Sequence, residues 1–286
     1  IATDAKGCVV GKVFGCNNTM GSPGGNAEVH IYKTVGTGSN VRSPEKTNTT
    51  YDLAAVFGGG NRAAYSTSGK TANVFIETCN VSIKEVYGGG YGADVPNTQV
   101  EVKGAYEIGT VFGGGYGAGS SDPTAADYNP GANVNGSTDV ILKGGVIHEV
   151  YGGSNTKGNI VVGSNVNVSD GQGCCDLKVD NIYGGGRNAS MEGGTSTVLG
   201  CQPNTWIEDI YAGSREADVA GAVELTITSG KFKRVFGGNK TSGKLKGSIK
   251  VNIEETGNCG TPIIIGELYA GGNEADYSIY GYKDDG

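Results

Sequence analysis

The sequence predicts an all-β protein, a right-handed parallel β-helix (solenoid). Three observations lead to this fold: a short motif recurs along the whole chain, alternating apolar residues lie between its copies, and glycine is unusually abundant. The chain has 53 glycines but only seven prolines among 286 residues, whereas glycine makes up about 7% of an average protein. Because glycine does not recur at every third position, a collagen-like helix is excluded.

The recurring motif is an aliphatic residue, an aromatic residue and a run of small residues, mostly glycine. Its clearest copy is Ile182-Tyr183-Gly184-Gly185-Gly186. The aromatic residues of the nine copies are Phe14, Phe57, Tyr87, Phe112, Tyr151, Tyr183, Tyr211, Phe236 and Tyr269. The shortest separation between copies is 25 residues, as from Val86 to Val111, and it sets the size of one coil. Residues 1–286 are therefore expected to form one domain of about nine coils of ~25 residues plus loop insertions.

Two strand patterns recur within each coil. In the first, two apolar residues flank a polar one, as in Val100-Glu101-Val102, which is typical of a strand with one buried face. In the second, two polar residues separate an apolar residue from the motif, as in Ile207-Glu208-Asp209-Ile210. Such strands bury their apolar faces by stacking coil on coil, and parallel crossovers are nearly always right-handed. A β-propeller is excluded because each blade needs ~40 to 50 residues.

Glycine also ends several of the alternating strands, as at Gly104 and Gly230. A corner stacked on identical corners leaves little room for a Cβ atom and often needs a positive φ, so glycine is expected there. The longest insertions run from Thr34 to Thr50 and from Gly117 to Gly136, and inserted loops commonly carry function. The chain begins and ends close to its outermost motifs, which predicts an excerpt of a longer protein whose open ends favour end-to-end self-association.

Charge and hydropathy exclude two classes of partner. The net charge is −7, and the five arginines are spread along the chain, so nucleic-acid binding, which needs a clustered basic surface, is not expected. The longest aliphatic run, Ile263-Ile264-Ile265, is far shorter than the ~20 residues of a membrane helix. No membrane insertion is expected in this segment.

The seven cysteines are an odd number, so they cannot all pair within one chain. No two form a C-x-x-C motif, and the only histidines, His30 and His148, lie far apart in sequence, so no metal site and no cofactor is predicted. Free thiols are the expectation. If a disulfide forms, Cys201 with Cys174 or Cys175 is the favoured pair, because these residues should lie nearly level on neighbouring coils.

The pattern Val/Ile-Phe/Tyr-Gly-Gly-Gly followed by x-Val-x-Ile-x-Gly-Gly resembles that of glycine-rich β-helical repeat proteins exported to bacterial surfaces, including adhesin-like and autotransporter-passenger-like proteins. The resemblance covers nearly the whole chain, but it is a resemblance of repeat style. It implies an extracellular or cell-surface bacterial protein that binds glycans or host proteins, and it brings no fixed catalytic residues.

The aromatic column permits two interpretations: a structural ladder that strengthens coil pairing, which is favoured because every coil has the ring, or an external platform for sugar rings. Whether the rings face inward or outward stays open. The favoured function is a non-enzymatic surface solenoid that binds glycan or protein through inserted loops and exposed columns. The predicted binding residues are Tyr91, Tyr116, Tyr128, Arg187 and Arg215.

The alternative function is a polysaccharide-active enzyme, a lyase or hydrolase, which needs carboxylates that converge on one face. Two pairs at the bends are candidates, Glu149 with Asp180 and Glu208 with Asp209. A solvated corner of alternating charge explains the same residues without catalysis. A calcium β-roll is disfavoured, because only the segment that ends at Asp94 matches its repeat.

Overall fold

A computed structural model describes residues 10–34, 51–117, 119–120, 122, 124–126, 131–169, 173–201, 206–256 and 259–275. These residues form strands, turns and bends and contain no helix. In chain order the strands are β1 (Val10–Phe14), β2 (Ala27–Ile31), β3 (Leu53–Phe57), β4 (Ala72–Ile76), β5 (Ser82–Tyr87), β6 (Thr98–Val102), β7 (Glu107–Phe112), β8 (Ser137–Leu142), β9 (Gly145–Tyr151), β10 (Gly163–Val168), β11 (Leu177–Tyr183), β12 (Gly194–Leu199), β13 (Trp206–Tyr211), β14 (Val223–Ile227), β15 (Gly230–Phe236), β16 (Ile249–Ile253) and β17 (Ile263–Tyr269).

The strands form two parallel sheets, which confirms the predicted parallel β-helix. The nine odd-numbered strands make one sheet and the eight even-numbered strands make the other, each in sequence order. Motif residues pair with motif residues, so Val86 lies beside Val111 and Tyr87 beside Phe112. Each of the first eight coils therefore contributes one strand to each sheet, the described part of the last coil contributes only β17, and each coil lies directly over the coil before it. The right-handed sense of the solenoid stays a prediction.

The core lies between the two sheets and is built from columns of apolar side chains. The alternating residues of the even-numbered strands and the aliphatic residues of the motifs point into it, as Val100, Val102 and Val111 do. A third inward column, which was not predicted from the sequence, lies on the segment after the motif. It comprises Tyr65, Val95, Val134, Ile160, Met191, Val219 and Leu245. Most neighbours in this column are joined by single parallel bridges, so each coil has three sides that face the core.

The motif glycines are required mainly because neighbouring coils approach closely. A Cβ atom on Gly113 would collide with the carbonyl oxygen of Gly152 in the next coil and would lie 3.0 Å from Thr138 Cβ. A positive φ also favours glycine at the first residue of two odd-numbered strands: φ is 99° at Gly145 and 116° at Gly230. Both reasons apply at Gly145, because a Cβ atom there would also collide with the backbone nitrogen of Ala105 in a neighbouring coil.

A column of buried hydroxyl groups ties the two sheets together in the middle coils. Thr98 donates a hydrogen bond to the carbonyl of Gly113 at 2.7 Å, and Thr138 donates to that of Gly152 at 2.6 Å. Ser164 and Thr195 make the same contact one and two coils further on. These bonds satisfy carbonyl groups at the corner, where burial without a partner is costly.

The predicted disulfide between Cys201 and Cys174 or Cys175 is wrong. The structure pairs Cys79 with Cys175 and Cys201 with Cys259, with Cα atoms 6.1 and 5.1 Å apart. The expectation of free thiols holds for Cys16 and Cys174; Cys8 lies outside the described residues. Counting along the backbone assumed level coils, whereas residues 173–175 lie over the corners of earlier coils.

Several predicted segments lie partly or wholly outside the described residues. Only Thr34 is described from the insertion that runs to Thr50, and the insertion from Gly117 to Gly136 is described in part. Tyr128, one of the predicted binding residues, belongs to the undescribed part of the second insertion.

Candidate functional site

The outer face of the nine-stranded sheet carries the column of motif rings, which we call the aromatic ladder. In each motif the aliphatic residue points into the core and the ring points to the opposite face, since Val86 and Tyr87 belong to separate apolar clusters. Successive rings stack with centroids 4.5–5.2 Å apart and planes within 3–10° of parallel. The rings from Phe57 to Phe236 are at most 2% exposed. The ladder is therefore a stacked structural element whose middle rings present no free face to a ligand.

A second column, which we call the flanking column, covers one side of the ladder. It consists of Tyr91, Tyr116, Asn155, Arg187, Arg215 and Lys240. Each backbone N–H of this column donates to a carbonyl of the preceding coil, as Tyr91 does to Gly60 and Arg187 does to Ser154. Four of the five predicted binding residues thus lie in one column. Whether they bind a ligand stays a prediction.

Tyr91 and Tyr116 form a small aromatic patch at the N-terminal part of the flanking column. Their rings stack at 5.2 Å, and their edges pack onto Phe57 and Tyr87 of the ladder. Lys12 Nζ lies 4.6 Å from the centre of the Tyr91 ring. A cleft of about 280 Å³ opens beside them. Both faces of Tyr91 are therefore already covered, one by Tyr116 and the other by Lys12.

Asn155 and Lys240 of the flanking column are hydrogen-bonded to ladder hydroxyls, and Arg215 lies near two carboxylates. Asn155 Nδ2 donates to the Tyr87 hydroxyl at 2.8 Å, and Lys240 Nζ donates to the Tyr183 hydroxyl at 3.2 Å. Arg215 lies 3.8 Å from Glu149 and 3.1 Å from Glu216. Burial raises the pKa of Tyr87 and of Tyr183 well above the usual range, so these hydroxyls stay protonated and act as hydrogen-bond partners.

The carboxylates proposed for catalysis are each paired with a basic side chain. Besides Glu149 with Arg215, Asp180 contacts a histidine at 2.6 Å and Glu208 contacts Lys233 at 2.7 Å. Asp209, which is buried and not exposed as the bend pattern suggested, accepts two hydrogen bonds from Arg234 at 2.7 and 2.6 Å. The structure therefore shows paired, alternating charge along the bends.

Each of the two histidines contacts acidic side chains from neighbouring coils, although the histidines lie far apart in the sequence. His148 Nδ1 lies 2.6 Å from Asp180 and Nε2 lies 3.0 Å from Glu107, so three adjacent coils meet at this ring. The hydrogen bond to Asp180, followed by that to Glu107, raises the pKa of His148 to about 9. A histidine with this pKa is a cation at neutral pH and serves as a counterion, not as a general base. His30 contacts Glu77 at 2.7 Å.

Trp206 borders a cleft that the sequence analysis overlooked. It is the only tryptophan in the chain, it begins β13, and it is 43% exposed. The cleft has a volume of about 450 Å³ and is lined by Trp206, Glu208, Lys233, Arg234, Gly266 and Glu267. Gly266 takes the bend position that a charged residue, Lys233, occupies in the preceding coil, and a Cβ atom there would lie 2.7 Å from the Lys233 carbonyl oxygen. A lone tryptophan beside acidic bend residues is the signal that could have identified it.

The described residues offer one cluster of metal-capable ligands and no developed calcium loop. The cluster consists of Cys79, Cys174 and Cys175, whose sulfur atoms lie within 4.8 Å of one another. Asp94, the residue that matched a calcium repeat, instead accepts hydrogen bonds from the amides of Ala132 and Asn133. It holds the end of the second insertion in place.

The described part of the chain includes no helix of the length and apolarity that crossing a membrane requires. Comparison of the chain with protein-family models, with curated proteins and with solved structures gave no match.

Proposed function

We propose that this protein is a non-enzymatic, surface-exposed β-solenoid that binds glycan, and that the cleft beside Trp206 is its binding site. The observation that carries the proposal is the exposed indole next to an open cleft whose other walls are charged. Its volume of about 450 Å³ falls within the range of ~300 to 1,000 Å³ usual for ligand sites. The residues of this cleft belong to strands and bends. They are proposed in addition to the inserted loops and exposed columns that the sequence predicted as binding surfaces.

The chemistry of the cleft suits a sugar ring. A pyranose presents an apolar face of C–H groups and a rim of hydroxyls, so it pairs an aromatic surface with hydrogen-bond donors and acceptors. The indole of Trp206 supplies the apolar surface. Glu208 and Glu267 offer acceptors, and Lys233 offers donors. Such a site holds one or two sugar units of a longer chain that runs along the solenoid surface.

A non-enzymatic role is supported by the pairing of every acid that was considered for catalysis. A glycosidase needs one carboxyl with a raised pKa as acid and a second carboxylate as base or nucleophile. Asp180 instead has its pKa lowered by the hydrogen bond from His148. The alternative is a polysaccharide lyase or hydrolase that uses the cleft acids. It predicts product formation when the same purified protein is incubated with glycans.

An extracellular or cell-surface location, with an adhesin-like role, is part of the proposal. Its support is the pair of disulfides, Cys79–Cys175 and Cys201–Cys259, because disulfides persist in oxidising compartments.

The single tryptophan makes the proposal directly measurable. Glycans bound at the cleft should shift or quench the intrinsic fluorescence, because the only indole emitter forms the site. A glycan array identifies ligands, and isothermal titration calorimetry gives the affinity of the wild type and of the variants that lack the indole. Trp206→Ala should weaken binding at least about 10-fold, equivalent to about 1.4 kcal/mol, whereas Trp206→Phe should lose less because it keeps a ring.

Tyr116→Ala is the matched control, since it removes an aromatic side chain from the flanking column, away from the cleft. Equal loss of affinity in Tyr116→Ala and Trp206→Ala would move the site to the flanking column. A blank array would contradict glycan binding. Release of new reducing ends or unsaturated sugars that depends on Glu208 would establish the enzyme instead.

A specific observation also favours a second function, head-to-tail assembly. In the odd-numbered sheet Lys12 and Glu267 occupy the same column at opposite ends of the stack. If β1 of one copy continues the register of β17 of another, Lys12 of one copy lies beside Glu267 of the other, and this junction pair has opposite charge. Light scattering over a concentration series tests this assembly.

A further inference from the structure

Three cysteine side chains meet at one corner of the solenoid. Cys79 follows β4, and Cys174 and Cys175 precede β11, yet the three sulfur atoms lie within 4.8 Å of one another. Cys79 and Cys175 are bonded, while Cys174 is a free, exposed thiol. A disulfide and a free thiol at this separation are the two reactants of thiol–disulfide exchange.

The backbone before Cys175 brings the sulfurs together by crossing two coils. The Cys174 amide donates to the carbonyl of Lys103 at 2.9 Å. Gly173 lies so close to the carbonyls of Lys103 and Lys143 that a Cβ atom would collide with both. The segment 173–175 thus folds back over the corners of two preceding coils and reaches Cys79.

Gly104 forms the floor of the cluster and gives independent evidence that the space is kept for sulfur. A Cβ atom at this position would lie 2.7 Å from Cys79 Sγ and 3.2 Å from Cys175 Sγ, and closer still to Cys174 Sγ. Its φ is not in the left-handed region, so backbone conformation does not demand glycine. Any larger residue would displace all three sulfur atoms.

We propose that Cys79, Cys174 and Cys175 form a thiol–disulfide exchange site. The Cys174 thiol loses its proton to solvent, and the thiolate attacks Cys79 Sγ. A bond forms between Cys174 and Cys79 while the bond between Cys79 and Cys175 breaks, and the electron pair leaves on Cys175, which takes up a proton. The step consumes no oxidant or reductant, because one thiol and one disulfide give one thiol and one disulfide.

The adjacency of Cys174 and Cys175 makes the two products nearly equivalent. The bridge to Cys79 moves by one residue, and the segment stays attached to the corner in either form. The exposed thiol also gives the site a ligand class, small disulfides of the cystine type. The Cys174 thiolate attacks such a molecule, forms a mixed disulfide and releases the other half as a thiolate.

The test uses the full chain with Cys8→Ser and Cys16→Ser, so that the cluster holds the one thiol outside the two disulfides. The native protein is treated with a maleimide at limiting concentration, digested, and analysed by tandem mass spectrometry. Exchange predicts label on both Cys174 and Cys175, with Cys79 bridged to the unlabelled neighbour. Label confined to Cys174 after prolonged incubation overturns the proposal.

Two further variants separate exchange from a fixed bridge. Cys174→Ser should reduce labelling more than tenfold and retain the Cys79–Cys175 bond. Cys175→Ser should form a Cys79–Cys174 bond under mild oxidation; two free thiols in folded protein would contradict the proposal.

With a cystine-type disulfide as probe, one mixed disulfide per chain is expected. Purified protein that carries a bound metal ion and lacks the Cys79–Cys175 bond would show a thiolate metal site instead.

Discussion

The coil above each motif limits the space for a side chain at the first position after the ring, which is usually glycine. A Cβ atom on Gly152 would collide with the carbonyl oxygen of Gly184 and would lie 3.0 Å from Ser164 Cβ and Val166 Cγ2. Alanine stands at this position in two coils, as Ala212 and Ala270, so local shifts can accommodate a methyl group. Crowding, which neighbours can partly relieve, therefore sets the cost of a side chain here.

Gly152→Ala should lower the free energy of unfolding by roughly 1–3 kcal/mol, the usual cost of overpacking. Gly200→Ala is the matched control, because its Cβ would have no neighbour closer than 3.5 Å. That variant should be neutral or slightly stabilising. Urea or thermal denaturation of both variants measures the difference. Equal stability of the two would show that stacking does not select glycine.

At the scale of the element, the odd-numbered strands carry two kinds of stabilising contact on one outer face, ring stacking and ion pairs. The aromatic ladder adds contacts of about 0.5–1.5 kcal/mol for each stacked pair. The bend residues add ion pairs between neighbouring coils, such as Asp209 with Arg234. The ladder was predictable because every motif contains a ring. The pairing was not, since it depends on which bend residues come to lie side by side.

The His148 bridge gives the element a pH dependence. Its folded pKa of about 9 lies above the ordinary value of 6.5. The protonated ring therefore contributes stability that is fully present below about pH 6.5 and is lost as pH rises through about 9. An NMR titration of the ring should give the raised pKa directly.

His148→Gln is the control variant, because a neutral amide keeps the side-chain polarity without the charge. The stability difference between wild type and variant should be largest near pH 6 and should shrink by pH 10. A difference that is constant across this range, or a ring pKa near 6.5, would contradict the bridge.

At the scale of the whole molecule, stability comes from stacking, so the terminal coils are the least covered. Leu268 and Tyr269 in the last coil are 47% and 46% exposed, whereas their counterparts in the middle coils are buried. Among the described residues, no further strand covers the apolar columns and the ladder at this end of the stack. Such a surface favours pairing with another strand edge.

Head-to-tail assembly predicts a charge-swap result. Glu267→Lys should weaken self-association, because it would place a lysine opposite Lys12 of the next copy, and Lys12→Glu in the same chain should restore it. Single surface pairs contribute about 0.2–1 kcal/mol, so light scattering is best performed at low ionic strength. Protein that stays monomeric at all concentrations, or variants that associate equally, would rule out this junction.

The repeat determined the architecture, because a coil can bury its apolar residues only against neighbouring coils. The number of motif copies predicts the number of coils. The sequence therefore sufficed for the parallel fold, the inward residues of the alternating strands and the crowded glycines, but it left open whether the ring or the aliphatic residue of each motif faces the core. It also placed Tyr91, Tyr116, Arg187 and Arg215 in one column, since they occupy the same offset after the motif.

Only the tertiary structure revealed contacts between residues that occupy different positions relative to the motifs of their own coils. The sequence could not show that residues 173–175 fold back to Cys79, that Glu107 and Asp180 meet at His148, or that a cleft lies beside Trp206. Repeat periodicity specifies what lies level in neighbouring coils. Loops and long side chains reach across levels, and their partners depend on distances that only the folded chain sets.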